Sequence, residues 1–175
     1  VCPHSASGAR QWEFRYSTNF DDRYGYNNGP RSSPVLDGDR VFTVGAQGQL
    51  HCLDVRTGRL IWKRNLAFEY NVPQDFFGTA STPLIEDTLL IVNVGAPGGP
   101  CVVGWDKTTG REAWRAGKEW GPSYASPVPA VVHGKRRVFV ATALLSLVPI
   151  LLVTHLPAAP LAAAIAVTTL FMVLV

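Results

Sequence analysis

A sequence pattern of the form D-x-x-T-G-R-x-x-W occurs twice in this chain, at a step of roughly 50 residues. The first copy runs from Asp54 to Trp62 and the second from Asp106 to Trp114. Trp12 lies one further step toward the N-terminus, and we interpret it as the last trace of an earlier copy. A period of this length is typical of proteins built from repeated structural units, so we predict a repeat protein.

The chemistry of the pattern predicts a turn followed by a strand. An Asp at the first position accepts hydrogen bonds from backbone N–H groups two or three residues later, and the Gly takes the left-handed conformation that closes the turn. The Trp then offers a large flat surface to a neighbouring sheet. We therefore assign a structural role to the motif residues, which are Asp54, Thr57, Gly58, Trp62, Asp106, Thr109, Gly110 and Trp114.

Each copy has the pattern of four short β-strands. In the first copy, β-branched and aromatic runs at 41–44 and 50–53 alternate with turns that contain Asp and Gly. The copies start at Ser33-Pro34, Thr82-Pro83 and Ser126-Pro127. We predict an all-β fold, a partial β-propeller of about two four-stranded blades plus the start of a third. The alternative, a β-sandwich, predicts no Trp at a regular step.

The chain changes character after residue 140. Every Lys, Arg, Asp and Glu lies at or before Arg137, and Leu, Ala and Val dominate the remainder. That remainder has two apolar stretches near the roughly 20 residues needed to cross a bilayer. We divide the chain into a propeller fragment, 1–140, and a hydrophobic helical hairpin, 141–175, predicted to be transmembrane. The alternative is a buried helical hairpin in a soluble protein.

The two motif copies resemble the pyrroloquinoline-quinone-type (PQQ-like) propeller repeat, whose blades end in a D-x-x-T-G-x-x-x-W tryptophan-docking motif. The resemblance covers roughly residues 10 to 140. It implies a propeller fold but no single activity, because the repeat occurs in quinoprotein dehydrogenases, in an outer-membrane assembly lipoprotein and in bacterial proteins of unassigned function. The 141–175 segment more weakly resembles a helix pair of a major-facilitator-type transporter.

The resemblance to quinoprotein enzymes implies features that this chain does not show. Those enzymes share a vicinal cysteine pair and a calcium site, whereas Cys2, Cys52 and Cys101 are far apart. The His residues also lack the spacing of a metal site. We predict no catalytic residue, no cofactor and no metal, and we favour a protein that is not an enzyme.

Two loops are candidates for surface binding. The loop 26–31 is polar and ends in Arg31, which together with Asn28 could hold a carboxylate or phosphate at the mouth of a propeller channel. The alternative is a turn whose Arg pairs with a nearby carboxylate. The loop 69–78 is longer than a hairpin needs, and its alternative interpretation is an insertion packed by its own aromatic residues.

We interpret the chain as part of a non-enzymatic propeller module, a scaffold or binding domain of an exported bacterial protein. The propeller part is expected outside the cytoplasm, with a protein partner on its face and the membrane bound through 141–175. The net charge of +3 does not indicate nucleic-acid binding. One alternative is a fragment of a PQQ-dependent quinoprotein dehydrogenase.

A further alternative is a chimera that carries a membrane-transporter fragment. The repeat stops within a sheet at Val140, which would expose a strand edge. Lys135, Arg136 and Arg137 beside the first span would place that end in the cytoplasm by the positive-inside rule, whereas propellers of this type are exported.

Overall fold

The computed structural model describes residues 1–22, 24–73, 78–118, 121 and 123–141. These residues form antiparallel strands and one short helix. The strands are β1 (Cys2–Pro3), β2 (Arg10–Trp12), β3 (Val35–Asp37), β4 (Arg40–Val44), β5 (Gln49–Asp54), β6 (Leu60–Asn65), β7 (Leu84–Glu86), β8 (Leu89–Asn93), β9 (Val102–Asp106), β10 (Glu112–Ala116), β11 (Val128–Val132) and β12 (Lys135–Phe139). The helix is α1 (Leu66–Tyr70).

The strands form four sheets in chain order. The first sheet (β3 to β6) and the second sheet (β7 to β10) each contain four strands, with every strand paired to its neighbour in sequence. The leading sheet (β1 and β2) and the trailing sheet (β11 and β12) contain two strands each. This architecture confirms the all-β fold with four-stranded antiparallel sheets, as expected for a partial β-propeller.

Alternate residues of each strand face opposite neighbours, because successive side chains of a strand point to opposite sides of the sheet. One apolar cluster joins the first and second sheets; its members include Phe42, Val44, Leu50, Cys52, Leu90, Val92, Val103 and Trp105. A second cluster joins Ile91 and Val102 of the second sheet to Val138 and Val140. The second sheet therefore buries both of its faces by stacking between two neighbours, which a single sheet cannot do alone.

The equivalence of the two four-stranded sheets is visible in their strand pairing. His51 pairs with Lys63 in the first sheet, and Val103 pairs with Arg115 in the second. Leu53 pairs with Leu60, and its counterpart Trp105 pairs with Glu112. Both outer strands carry a register shift between these pairs, so the two sheets can be compared residue by residue.

The structure differs from the sequence prediction in two local features. The helix α1 was not predicted; its first turn is capped by the side chain of Asn65, which accepts from Phe68 N, and Asn71 ends it in the left-handed conformation. In the third copy the sequence Gly-Lys-Arg-Arg predicts a turn at 134–137, but the turn between β11 and β12 lies at His133 and Gly134, which both have positive φ. A turn at these residues lets β12 begin at Lys135.

The hydrophobic hairpin predicted for 141–175 lies outside the described residues except for Ala141. Within the described part of the chain, no helix has the length and apolar character needed to cross a bilayer. The transporter resemblance and the membrane assignment of 141–175 remain predictions.

Candidate functional site

Each Asp of the motif organises the turn that precedes the outer strand. Asp54 Oδ1 accepts from Arg56 N at 3.0 Å, from Thr57 N at 2.8 Å and from Thr57 Oγ1 at 2.8 Å. Asp106 Oδ1 makes the same three contacts, at 3.1, 2.7 and 2.8 Å, with the equivalent atoms of Thr108 and Thr109. Hydrogen bonds from the Thr hydroxyl and backbone lower the pKa of both carboxyls.

The Trp of one copy contacts the turn of the next copy. Trp62 Nε1 donates to Lys107 O at 3.1 Å, and its ring lies over Gly110, where an added Cβ would come within 2.6 Å of Trp62 Cδ2. Trp12 Nε1 donates to Val55 O at 2.8 Å, and its ring lies over Gly58. The Gly is thus needed twice, for its positive φ and for the space that the ring occupies.

A third copy of the turn occurs at the start of the chain and escaped the sequence analysis. His4 stands at the Asp position and Ser7 at the Thr position, with 3.2 Å between His4 Nδ1 and Ser7 Oγ. Gly8 N donates to His4 O at 2.8 Å, as Gly58 N donates to Asp54 O at 2.9 Å. The signal H-x-x-S-G-x-x-x-W is present in the sequence, but the change of Asp to His and of Thr to Ser conceals it.

The hydroxyl residues that start the copies are linked in series. Ser33 N donates to Thr82 Oγ1 at 3.1 Å, and Thr82 N donates to Ser126 Oγ at 3.0 Å. The hydroxyl oxygens of Thr82 and Ser126 therefore each accept from the backbone of the preceding copy. This hydroxyl series joins three copies at the strand that begins each one.

Asn28 and Arg31, the candidate binding residues, lie in a loop organised by Asp22. The Asp22 carboxylate is buried and accepts from Tyr24 N at 3.0 Å, from Tyr26 N and Asn27 N at 3.1 Å each, and from Arg31 Nη2 at 2.6 Å. The backbone bond from Tyr24, followed by those from Asn27 and Arg31, outweighs the opposing effect of desolvation and lowers the Asp22 pKa to about 2.

The structure thus places Arg31 in an ion pair within its own loop. Arg31 also donates to Asn27 O at 3.0 Å and stacks over the ring of Phe20 at 5.6 Å. Asn28 Oδ1 accepts from Asp22 N at 2.8 Å. This geometry is that of the alternative turn interpretation, and ligand binding by Arg31 and Asn28 remains a prediction.

The Asp22 loop presents two tyrosines to solvent. Tyr26 is 77% exposed and Tyr24 is 54% exposed, and their ring centroids lie 6.3 Å apart. The backbone N–H groups of Tyr24 and Tyr26 both donate to the buried carboxylate of Asp22, and these hydrogen bonds fix the backbone from which the two rings extend. Rigidly held tyrosines contribute large contact area at a low cost in conformational entropy.

The Asp22 loop and α1 lie at the same end of the sheets. The outer strands β2, β6 and β10 begin next to the motif turns and end at the opposite end, where the chain crosses to the next copy. We call this end the connection face; it consists of the described residues of 13–34, 66–83 and 117–127. The opposite end, which carries the motif turns at 54–58 and 106–110, is the motif end. Phe68 of α1 belongs to it and is 85% exposed.

The connection face and the motif end contain no cluster of three or more His, Cys, Asp or Glu side chains that could hold a metal ion, as far as residues 1–141 are described. The carboxylates of Asp22, Asp54 and Asp106 are instead occupied by backbone and side-chain donors of their own turns. Each of these three carboxylates therefore holds the turn or loop to which it belongs.

Stacked four-stranded sheets, joined by a Trp that contacts the next turn, define a propeller-type repeat protein. The family model described as outer membrane protein assembly factor BamB matches residues 3–152. This match covers most of the chain, and the chain therefore belongs to that family of PQQ-like repeat proteins.

Curated relatives match over a shorter stretch. The outer membrane protein assembly factors BamB of Aliivibrio fischeri and Vibrio cholerae are 48% and 43% identical over 44 residues, which is 25% of this chain and 11% of each relative. The chain therefore matches only a small part of the length of these relatives.

Comparison with solved structures gives partial alignments. BamB from Moraxella catarrhalis has a TM-score of 0.48 at 23% identity, covering 75% of this chain and 40% of that chain. A europium-containing methanol dehydrogenase has a TM-score of 0.45 at 18% identity, covering 61% of this chain and 18% of that chain.

Proposed function

We propose that this chain is part of a non-enzymatic propeller that binds proteins during outer-membrane protein assembly, outside the cytoplasm. The family match over residues 3–152 carries this proposal, because the family is described as an outer membrane protein assembly factor. The relatives from Aliivibrio fischeri and Vibrio cholerae bear the same description.

The connection face is the proposed binding surface. Tyr24, Tyr26 and Phe68 expose aromatic rings there, and each ring extends from a hydrogen-bonded support. For Phe68 the support is the capped first turn of α1. Aromatic residues, Tyr above all, are enriched among the residues that dominate binding energy at protein interfaces. Arg31 and Asn28 act in this proposal as organisers of the loop that carries the tyrosines.

The motif residues have a supporting role in the same proposal. Trp62 joins the first sheet to the turn at Lys107 and Gly110, and the Asp54 and Asp106 carboxylates shape the turns of the two copies. In this proposal these contacts keep adjacent sheets aligned and so maintain the shape of the connection face. The exposed residues at the motif end, such as Arg56, would then be dispensable for binding.

The test measures binding of the full chain to an outer-membrane β-barrel protein that is kept unfolded in urea and diluted into buffer. The double variant Y26A/F68A should weaken binding at least about tenfold, since both rings are exposed and their removal leaves the core intact. The exposed R56A variant at the motif end is the matched control and should bind like the parent chain.

Specificity is controlled with an unfolded, unrelated soluble protein of similar length. Weaker binding of that protein than of the barrel protein supports the proposal. Absence of binding to the barrel protein, or equal binding by the parent chain and Y26A/F68A, would contradict a binding role for the connection face.

A further inference from the structure

A cleft of about 650 Å³ lies between the segment after β2 and the outer half of the first sheet. We call it the outer cleft. The residues that line it include Phe14, Tyr16, His51, Leu60, Lys63 and Arg64. The wall nearest the core is His51, which packs edge-on to Phe14 at 5.1 Å and against Tyr16 at 4.7 Å, measured between ring centroids.

The corresponding place between the first and second sheets is filled by Tyr70 of α1. The Tyr70 ring lies 6.1 Å from Trp105 in an edge contact, and the Arg115 guanidinium stands over it at 5.8 Å. Tyr70 Oη donates to Glu112 Oε2 at 2.7 Å. The phenol of Tyr70 thus fills the space between the first and second sheets and donates a hydrogen bond to Glu112 at the edge of that space.

The outer cleft has the same framework without that phenol. The strand register makes Leu60 the counterpart of Glu112 and Lys63 the counterpart of Arg115. Phe20 follows Trp12 at the same spacing as Tyr70 follows Trp62, but it contacts Arg31 and the backbone near Gly78 instead. Three cleft residues, His51, Leu60 and Lys63, therefore take the positions of Val103, Glu112 and Arg115, whereas Leu53, the counterpart of Trp105, does not line the cleft. The ring that the chain could supply at this interface, Phe20, lies elsewhere.

The charges around the outer cleft differ from those around Tyr70. Arg15, Lys63 and Arg64 line it, against one carboxylate from Glu69. Arg15 pairs with Glu13, and Arg64 donates to Gly110 O at 2.8 Å and lies 3.8 Å from Glu69. Lys63 has no ion-pair partner among the described residues. Because Leu60 stands where the second sheet has Glu112, the outer cleft has no carboxylate at that position to accept from a phenol. The positive charges of Arg15, Lys63 and Arg64 instead favour a ligand that carries a negative charge.

His51 adds an unpaired polar atom to the wall. It is 3% exposed, and its Nδ1 has no hydrogen-bond partner among the residues that the structure describes. The corresponding residue of the second sheet is Val103, which is buried in the apolar core. Buried polar atoms are usually hydrogen-bonded. A His at the position where the second sheet has Val103 therefore suggests that a ligand supplies the hydrogen-bond partner of Nδ1.

We propose that the outer cleft binds an aromatic residue with a neighbouring carboxylate, presented by a partner protein. The ring takes the place that Tyr70 fills at the next interface and lies against Tyr16 and His51. The carboxylate meets Lys63 at the rim. This inference rests on the proposed protein-binding function and adds the chemistry of the segment that is recognised.

The probe is a fluorescein-labelled peptide, Gly-Ser-Glu-Tyr-Gly-Ser with blocked ends, titrated with the full chain and followed by anisotropy. Peptides with Gln in place of Glu, or Ala in place of Tyr, should each bind at least about tenfold more weakly. The K63E variant should lose a similar factor. R56E makes the same change of charge at the motif end and should bind like the parent chain.

A second readout separates a specific site from general attraction to a basic surface. The ring ¹⁵N signals of His51 should shift on addition of the Glu-Tyr peptide and not on addition of its Gln or Ala forms. Equal affinity of all three peptides, or an equal loss in K63E and R56E, would overturn the proposal.

The source of the ligand is tested with free 4-hydroxyphenylacetate. Displacement of the peptide by this acid at equal concentration would overturn recognition of a peptide and indicate a small-molecule site. If the peptide fails but the unfolded barrel protein still binds through Tyr26 and Phe68, only the cleft inference fails, and the proposed function stands.

Discussion

At the level of single residues, the buried carboxylate of Asp22 has the largest influence on the connection face. One side chain accepts from three backbone N–H groups and from Arg31. Charge-assisted hydrogen bonds of this kind are stronger than bonds between neutral groups. The loop that carries Tyr24 and Tyr26 therefore depends on the ionised state of Asp22.

We expect the stability contributed by Asp22 to disappear in acid. Its pKa is lowered from the usual 3.8 to about 2 in the folded chain, so the contribution is present above about pH 4 and is lost as the pH falls toward 2. The D22N variant should be less stable than the parent chain at pH 7 and should lose less stability between pH 4 and 2. Urea unfolding at a series of pH values measures both effects.

The control for D22N is D39N, because the Asp39 side chain is 78% exposed and lies in a hairpin turn. A D39N profile that matches D22N would show that the acid sensitivity does not come from the buried carboxylate.

His51 should make the stability of the chain depend on pH at milder acidity than Asp22 does. Burial, followed by the charge of Lys63, lowers the His51 pKa from 6.5 to about 4. The neutral form is favoured by folding, so stability is complete above about pH 6.5 and falls as the pH drops toward 4. H51V, which introduces the residue type of position 103, should flatten the unfolding free energy across this range, whereas the exposed H4Q variant should not.

Tyr16 and Lys63 are the titratable groups that face His51 from the segment after β2 and from β6. Burial raises the Tyr16 pKa, so Tyr16 stays neutral throughout this acid range. An unchanged pH profile in H51V would show that the pKa of His51 is the same in the folded and unfolded chains.

At the level of elements, the contact between a Trp and the next turn sets how two sheets stack. Trp62 combines a hydrogen bond to Lys107 O with ring contact over Gly110. Arg64 adds a second link from the same strand, because its Nε donates to Gly110 O at 2.8 Å. Both contacts join β6 to the turn before β10.

Replacement of the glycine tests this contact. In G110A the added methyl group would overlap the Trp62 ring, so we expect destabilisation of roughly 2–4 kcal/mol from backbone strain and overpacking together. G134A is the matched control, because Gly134 has a similar positive φ, 72° against 69°, and nothing within 4 Å of its added Cβ. It should cost only about 1–2 kcal/mol.

Denaturant unfolding followed by tryptophan fluorescence measures both variants. Equal destabilisation by G110A and G134A would mean that the strain of the positive φ dominates and that the Trp62 contact contributes little.

At the level of the whole molecule, stability depends on stacking between copies. The leading and trailing sheets have two strands each, fewer than an isolated sheet usually needs. The links between sheets include two Trp contacts, the hydroxyl series of Ser33, Thr82 and Ser126, and the two apolar clusters. Polar contacts add to them, such as the ion pairs Lys107–Asp37 and Arg136–Glu86. Repeat arrays need several such neighbours and capped ends.

We therefore expect residues 1–140 expressed alone to be marginally stable or prone to aggregation. Thermal unfolding followed by circular dichroism should give a broad transition, and size-exclusion chromatography should show soluble aggregates. A sharp, reversible transition of a monomer would contradict this expectation and show that the described sheets stack stably without further copies.

Much of the fold was predictable because the repeat is specified by interactions between residues that are close in sequence. Asp, Thr and Gly at fixed spacing specify a turn through hydrogen bonds within six residues, and β-branched runs specify the strands beside it. The four-stranded sheets and the family resemblance followed from those signals. For the candidate site, the sequence indicated Arg31 and Asn28 but not Asp22, since a buried carboxylate does not differ in sequence from an exposed one.

The features that sequence analysis missed have weak signals in the sequence. The copy at His4 is identified by backbone hydrogen bonds that persist when Asp is replaced. The helix α1 is too short for a periodic signal and is held by Asn65 and by packing of Leu66 and Tyr70.

The local turns and strands of this protein are encoded in neighbouring residues, because each is stabilised by hydrogen bonds that span only a few positions. The choice of neighbour for each aromatic ring is not encoded in this way. Tyr70 fills the space between two sheets, whereas Phe20, at the same spacing, lies elsewhere and contacts Arg31. That outcome is set by the packing of whole sheets, since the space each ring can enter exists only after the sheets have stacked.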